Sequence, residues 1–195
     1  MRYKSGYKEQ KRQELLDISG QLAKRNGFNA TGVDGFMKAA GVTSGAFYSH
    51  FSSKNDLFKA LIENELQHSI QMWQDNPYDE PSQWIDFELN RYLALSHVEQ
   101  PDRGCALPSL ASEIARSDDE IKQAYQNELI RGQQIFLKYL DSEETAWAVM
   151  CQLVGAILMA RSIADDALKV TILESSKKSI KAFITHSAND KADVF

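Results

Sequence analysis

The sequence predicts an all-α protein, and three observations support this. Apolar residues recur at spacings of three and four along most of the 195 residues, residues that cap helices precede many of these stretches, and no segment shows the alternation of a strand. A content of 43% hydrophobic and 25% charged residues excludes a disordered or low-complexity chain. We therefore expect an N-terminal three-helix domain and a larger helical domain, with about nine helices in all.

Residue types exclude several other classes of protein. The longest apolar run, residues 153–160, is too short to span a bilayer, and polar residues follow Met1 where a secretory signal would be apolar. The two cysteines, Cys105 and Cys151, lack the spacing of a zinc site and are too few for a disulfide scaffold. We expect a cytoplasmic protein with no membrane contact, metal or cofactor.

The net charge of −5 is divided unevenly along the chain. Residues 1–54 hold nine basic and four acidic side chains, whereas the rest holds 13 basic and 23 acidic ones. A basic first part on an acidic body is typical of a protein whose first part binds a polyanion. The alternative is chance clustering of solvated charges.

Capping residues divide the basic part into short helices. The first runs to Asn26 and ends at Gly27, and Thr31 is expected to cap a second that ends before Gly41. Thr43 or Ser44 then caps a third helix, predicted to reach about residue 51. Ser53 opens a fourth, with an acidic residue three positions later as in a capping box.

Two short helices joined by a tight turn, packed on a longer first helix, form a helix-turn-helix, which is a DNA-binding geometry. In such a unit Thr43 and Ser44 reach base edges, and Gly45 and Ala46 let the backbone come close. The side chains that can bind phosphates are Tyr48, His50 and Lys54. Each of these side chains could also simply be solvated or packed.

The segment from Thr31 to Phe58, TGVDGFMKAAGVTSGAFYSHFSSKNDLF, resembles the DNA-binding signature of the TetR family of bacterial transcriptional regulators. The resemblance lies in the AAGV turn, the GAFYSHF recognition helix and the entry to the fourth helix. It implies phosphate contacts from Thr31, Tyr48, His50 and Lys54. It also implies groove contacts from five residues, Thr43, Ser44, Gly45, Ala46 and Ser49.

The acidic body reads as further helices, so we divide the chain into a DNA-binding domain, residues 1–53, and an effector-binding and dimerisation domain, residues 54–195. Predicted helices cover residues 54–74, 82–98, a short stretch through 110 and 114, 118–140, 142–163 and about 165–186, followed by a frayed tail. The resemblance implies that the last two helices pair with their copies in a homodimer. The alternative is that both bury their apolar stripes within one subunit.

Aromatic and apolar side chains of the body could line a pocket for a small-molecule effector, or could be plain core. The candidates are Trp84, Phe87, Tyr92, Leu110, Phe136, Met150 and Val154. Cys105 is a candidate sensing thiol because it lies near a helix N-terminus and Arg103, which favours a reactive thiolate; the alternative is a packed cysteine. Cys151, in an apolar mid-helix setting, is expected to be inert.

We expect a ligand-responsive DNA-binding regulator, a repressor as is usual in the family that the chain resembles. An enzyme is not supported, because the sequence has no phosphate-binding glycine loop, no HExxH and no nucleophile elbow. The alternative function is a helical protein-interaction module without a DNA role.

Overall fold

The computed structural model describes the backbone of residues 6–192 and the side chains of residues 6–185. Ten α-helices and a 3-10 turn make up its regular structure, and these residues contain no strand, so the all-α prediction is confirmed. The helices are α1 Tyr7–Asn26, α2 Val33–Ala39, α3 Ser44–Phe47, α4 Lys54–Gln74, α5 Pro81–Tyr92, α6 Leu95–Glu99, α7 Leu107–Ile114, α8 Asp119–Leu137, α9 Glu143–Arg161 and α10 Asp166–Ala192; the 3-10 turn is Pro101–Arg103. The basic residues Arg2 and Lys4 and the end of the predicted tail lie outside the described residues.

The described chain divides into two compact units. The first unit comprises residues up to 68 together with 101–128, and the second comprises 69–100 together with residues from 129 onward. These are units of packing, so the functional boundary at residue 53 stays a prediction. No helix among residues 6–192 combines the length and hydropathy needed to cross a bilayer.

The first unit is built around phenylalanine rings. Phe28, which follows α1, stacks on Phe58 of α4 at 4.0 Å between ring centroids and on Phe36 of α2 at 5.2 Å. Phe47 of α3 and Phe51 pack at 5.7 Å, and all five rings are at most 2% exposed. Each ring contributes about 1.5–3 kcal/mol by leaving water, so these side chains fix the short helices in place.

The second unit has a core of tryptophan and aliphatic side chains. Trp73 of α4 and Trp84 of α5 both meet the ring of Phe136 at 5.1 Å, edge to face. Tyr139 stacks flat on Trp84 at 4.3 Å. Helices α9 and α10 pack against each other, with Ile157 and Ile180 fully buried.

The helix predicted over residues 82–98 is two helices in the structure. α5 ends at Tyr92, Leu93 leaves the helical conformation, and α6 begins after an extended Ala94. His97 lies 2.7 Å through Nδ1 from the Tyr92 carbonyl, and since a carbonyl only accepts, the imidazole donates there. This hydrogen bond spans the break between α5 and α6. The sequence has no glycine or proline there, so it does not predict the break.

Three other helix predictions are wrong in detail. α3 ends at Phe47 and residues 48–50 form a turn, because the Ser49 hydroxyl donates to the Ala46 carbonyl at 2.6 Å and competes with helical bonding. Thr31 does not cap α2; Gly32 occupies that position, and the Thr31 hydroxyl donates to the Gly27 carbonyl at 2.9 Å. The last helix does not end near residue 186 but continues to Ala192.

Candidate nucleic-acid interface

The turn between α2 and α3 is fixed by its backbone. Gly41 takes a φ of +68°, which a residue with a side chain rarely adopts, and Val42 then donates its N–H to the Met37 carbonyl at 3.0 Å. Phe36 and Phe47, one from each helix, are fully buried beneath the turn. The outer surface of α3 is therefore held at a defined angle to α2, as a helix-turn-helix requires.

Most of the predicted DNA-contacting residues lie in the segment 43–50, which forms α3 and the turns on either side of it. Tyr48 is the most prominent, with 69% of its surface exposed. Thr43, Ser44, Gly45 and Ser49 are also exposed. The half-buried members of the predicted set are Thr31, Ala46, His50 and Lys54. Contact of these residues with DNA stays a prediction.

Some of these side chains already have partners within the protein. Lys54 places its ammonium 4.9 Å from the centroid of the Phe28 ring and donates to the Asn29 carbonyl at 3.3 Å. The Ser49 hydroxyl proton is held by Ala46, and that of Ser44 by the carboxylate of Asp34 at 2.5 Å. Ser49 and Ser44 therefore keep lone pairs, and Lys54 keeps further protons, for a ligand.

The start of α4 is capped as the sequence predicts. The Ser53 hydroxyl accepts from the Asp56 N–H at 3.0 Å, and the Asp56 carboxylate accepts from the Ser52 N–H at 2.8 Å. In a capping box the acidic side chain accepts from the N–H of the cap residue itself. Here the Asp56 carboxylate accepts from Ser52, one residue before the cap residue Ser53.

His50 lies in a positively charged setting. Burial lowers the pKa of His50, and the nearby charges of Lys8 and Arg12 lower it further. Arg12 also lies over the Phe51 ring at 5.1 Å from its centroid. In the sequence, Lys8 and Arg12 contribute to the basic excess but are not predicted to belong to the site. The pattern that indicates a shared helix face is their spacing of four residues on α1.

A set of charged contacts within the first unit holds the end of α1 and the loop that follows it. The Glu113 carboxylate of α7 accepts from the N–H groups of Phe28 at 2.9 Å and Asn29 at 2.6 Å. Lys24 forms an ion pair with Glu65 at 2.6 Å, in which both side chains are only 6% exposed. Arg25 pairs with Asp102 at 2.8 Å. The sequence does not reveal this set, because partners 41 to 85 residues apart leave no local pattern.

The seven predicted pocket residues do not form one cluster. Trp84 and Phe136 touch in the second unit, where Tyr92 and Met150 are also buried, while Phe87 and Val154 are half-buried. Leu110 is fully buried in the first unit. A separate groove of about 480 Å³ in the second unit is lined by none of the seven. Its lining comes from α5, α10 and the residues 139–141 that follow α8, among them Ile85, Tyr139 and Ile184.

A buried carboxylate lies beside Trp84. Glu88 is 1% exposed, accepts from the Asn76 amide at 2.8 Å and forms an ion pair with Arg91. Burial raises the pKa of Glu88, and the charge and hydrogen bonds of Arg91 and Asn76 oppose that rise. Glu88 therefore belongs to a satisfied polar network in the wall of the aromatic core.

Of the two cysteines, the candidate sensing thiol is buried and the one expected to be inert is exposed. Cys105 lies one residue before the cap of α7, as predicted, but it is 3% exposed, and its sulfur accepts from the Leu107 N–H at 3.5 Å. Cys151 is exposed on α9, so the expected apolar setting is wrong, while its expected inertness stays a prediction. The buried face of α9 is formed by its neighbours in sequence, such as Met150 and Leu153, and Cys151 points away from it.

Large apolar side chains remain exposed on α9 and α10. Leu158 is 51% and Met159 61% exposed on α9; Leu168, Val170 and Phe183 of α10 are each more than 40% exposed. The opposite sides of both helices are buried within the subunit, as Ala156, Ala160 and Leu173 show. One face of each helix is thus used inside the subunit, and another apolar face is left at the surface.

Among residues 6–185 no three His, Cys, Asp or Glu side chains lie close enough together to hold a metal ion.

Comparison with known proteins gives a consistent family. The family model described as bacterial regulatory proteins, tetR family, matches residues 15–61, which include α2, the turn and α3. The HTH-type transcriptional regulator AcrR of Shigella flexneri is 42% identical over 55 residues, 28% of this chain and 26% of AcrR. The HTH-type transcriptional repressor NemR of Escherichia coli K12 is 25% identical over 120 residues, 58% of each chain. The chain thus spans less than two thirds of the length of these curated relatives.

Solved structures extend the likeness to nearly the whole chain. The reduced form of E. coli NemR superposes with a TM-score of 0.77 over 90% of this chain and 98% of that one, at 19% identity. The regulatory protein TetR from Rhodobacter sphaeroides superposes with a TM-score of 0.71 over 86% and 95%, at 24% identity. At such identities the likeness shows that the fold is shared.

Proposed function

Because the chain belongs to the TetR family of bacterial regulatory proteins, we propose that it is a ligand-responsive transcriptional regulator that represses from a two-fold DNA operator. The observation that carries this is the helix-turn-helix of α2 and α3, which exposes Ser44 and Tyr48 and is followed by His50, close to the basic side chains of Lys8 and Arg12 on α1. A regulator of this kind acts on the chromosome, so we propose a cytoplasmic location. The proposal includes no catalytic step.

The DNA contacts are divided by chemistry. Tyr48, His50 and Lys54 bind phosphates, which carry no sequence information, and the first residues of α3 read base edges in the major groove. Thr31 joins the phosphate contacts only if its hydroxyl proton leaves the Gly27 carbonyl. Gly45 and Ala46 bring the backbone near the DNA, and Ser49 lies at the edge of this contact. The exposure of Tyr48 supports its role, since 69% of an aromatic side chain is left in water without DNA.

We propose that the protein is a homodimer joined through α9 and α10. The exposed Leu158, Met159, Leu168 and Phe183 support this, since large apolar side chains on neighbouring helices commonly mark an interface. Two copies related by a two-fold axis present two copies of α3, as a palindromic operator requires.

We propose that a small-molecule effector binds in the second unit, near the buried aromatic cluster of Trp84 and Phe136. The other candidate residues, Phe87, Tyr92, Met150 and Val154, belong to that unit, whereas Leu110 supports the first unit. An effector that releases DNA must bind the DNA-free conformation more tightly, and DNA must weaken the effector by the same factor. We also propose that Cys105 senses reactive chemicals through its thiol. Because Cys105 is 3% exposed, the segment around it must open before a reagent reaches the sulfur.

Electrophoretic mobility shift with DNA from upstream of the gene tests the proposal. We expect a discrete protein–DNA complex, and we expect effectors to dissociate it. Tyr48→Phe and Lys54→Ala should weaken binding to this DNA and to random DNA alike, whereas Thr43→Ala should change the preference among operator variants. Absence of any complex with a folded dimer would refute the regulator.

A further inference from the structure

The N-terminal ends of α2 and α3 are joined by one side-chain hydrogen bond. Asp34 is the second residue of α2, and Ser44 is the first residue of α3. The Ser44 hydroxyl donates to the Asp34 carboxylate at 2.5 Å, and both side chains are exposed. The backbone bond from Val42 to Met37 holds the two helices in this arrangement, so the pair is part of the surface that α3 presents.

This bond fixes the hydrogen-bonding character of Ser44. A serine hydroxyl has one proton and two lone pairs, and a carboxylate only accepts. While Asp34 holds the proton, Ser44 offers nothing but lone pairs to a third group. Ser44 is thereby converted from a residue that donates or accepts into one that only accepts.

The major groove presents few donors to such a residue. Cytosine offers its N4 amino group and adenine its N6 amino group, whereas guanine offers O6 and N7 and thymine offers O4, all of which accept. An accepting Ser44 facing guanine or thymine would place lone pairs against lone pairs. Cytosine or adenine satisfies it.

We infer that Asp34 determines base specificity by taking the proton of Ser44, so that the base facing Ser44 must carry an amino group. The inference rests on the proposed DNA binding and deepens it, since it names the bases that the recognition helix selects. Asp34 acts through Ser44 and is a positioning residue. Its negative charge beside the phosphates also lowers the affinity for all DNA, so specificity is gained at the expense of affinity.

Selection of duplexes with a randomised core, by the wild-type dimer and by variants, tests this directly. Ser44→Ala identifies the base pair that Ser44 faces, as the position where preference is lost. At that position the wild type should favour cytosine or adenine over guanine and thymine by about fivefold. Asp34→Asn, whose amide can donate to the hydroxyl or accept from it, should bring this ratio close to one and leave other positions unchanged.

Matched variants separate specificity from charge and from folding. Glu9→Gln removes the same charge from α1 and should raise affinity for all duplexes without changing base preference. Circular dichroism reports whether α2 still forms in Asp34→Asn, and Asp34→Ala provides a second variant with the carboxylate removed. The double variant Asp34→Asn with Ser44→Ala should select the same sequences as Ser44→Ala alone.

The outcomes are distinct. The inference is overturned if the wild type prefers guanine or thymine at that base pair, if Ser44→Ala changes no position, or if Asp34→Asn selects as the wild type does. A further change of preference by Asp34→Asn in the Ser44→Ala background would mean that Asp34 reads the base itself, which also overturns it. Failure of the folded wild type to enrich any duplex would remove the proposed function as well.

Discussion

Glu113 accepts hydrogen bonds from the backbone N–H groups of Phe28 and Asn29, at 2.9 and 2.6 Å, across 85 and 84 residues of sequence respectively. The bonds satisfy the amides that follow the end of α1, where Gly27 turns the chain with a φ of +86°. α7 thereby holds the loop that leads into the helix-turn-helix. Lys24, which donates to the Gly104 carbonyl at 3.0 Å, ties the same region to the segment before α7.

Removal of this carboxylate should loosen the loop. Glu113→Ala leaves two amides without their acceptor, so we expect the free energy of unfolding to fall by about 1–3 kcal/mol. Operator affinity should fall too, because Phe28 and the α2 that follows it lose a restraint. Urea unfolding and fluorescence anisotropy measure the two effects. Glu99→Ala, an exposed glutamate of α6, should change neither; a Glu113→Ala protein of wild-type stability would contradict this account.

Protonation of His50 should be linked to DNA binding. The pKa of His50 lies below its usual value because burial and the charges of Lys8 and Arg12 disfavour the imidazolium. A phosphate beside the ring favours the imidazolium, so DNA binding takes up a proton and affinity should rise as the pH falls below about 6.5. His50→Gln should abolish this rise, and His68→Gln, on α4, should retain it. An identical pH profile in His50→Gln would exclude the linkage.

The lowered pKa of His50 should also make the DNA-free protein less stable as the pH falls, although DNA binding becomes tighter. A lowered folded-state pKa means that the unfolded chain binds the proton first as the pH falls, so the contribution of His50 to stability is present above about 6.5 and is lost as the pH falls through the folded pKa. Thermal unfolding of the wild type and His50→Gln at several pH values checks the sign. A wild type that gains stability from His50 on acidification would refute it.

Helix starts and ends can be predicted from the sequence where the residues that fix them are close together in the chain. Ser53, Asp118 and Ser142 stand at the predicted starts of three helices, and each accepts from a backbone N–H three residues later. Gly27 and Gly41 were recognised as stops, and both have positive φ. The caps and the 3.6-residue periodicity therefore gave the fold class and most helix limits.

The rest depended on contacts that no local pattern carries. At the break after α5, His97 donates a hydrogen bond to the Tyr92 carbonyl. The Phe28 N–H donates to the carboxylate of Glu113, which lies in a helix distant in sequence. The exposure of Cys151 depends on which faces of α9 are covered, and apolar residues on both faces hide that choice in the sequence. The DNA-contacting set came from the motif, but the bond between Asp34 and Ser44 required coordinates.

The exposed faces of α9 and α10 should hold the dimer together. Met159→Glu places a charge on a side chain that is 61% exposed in the subunit and apolar in the proposed interface, so we expect a monomer that has lost operator affinity. Ile130→Glu, at another exposed apolar side chain, on α8, should remain dimeric. Sedimentation equilibrium measures the mass of each. A Met159→Glu dimer with full DNA binding would place the interface elsewhere.

The cysteines should react in the order of their exposure. Under native conditions N-ethylmaleimide should label Cys151 before Cys105, because Cys105 is 3% exposed and must await opening of its segment. If the dimer covers Cys151, labelling should become faster in the monomeric Met159→Glu variant. Mass spectrometry over time follows both sites. Cys105 labelled first would show that the segment before α7 opens readily, and loss of DNA binding in step with that label would support its sensing role.

The central claim is that a dimer binds DNA through two helix-turn-helix units and neutralises several phosphates. Fluorescence anisotropy with a duplex of two inverted half-sites and a duplex of one, over a range of salt concentration, tests it most directly. With about six to ten phosphates neutralised, affinity for the two-half-site duplex should fall by roughly 10³ or more between about 50 and 200 mM salt, and the single half-site should bind far more weakly. An affinity independent of salt, or equal affinity for the single half-site, would contradict the claim.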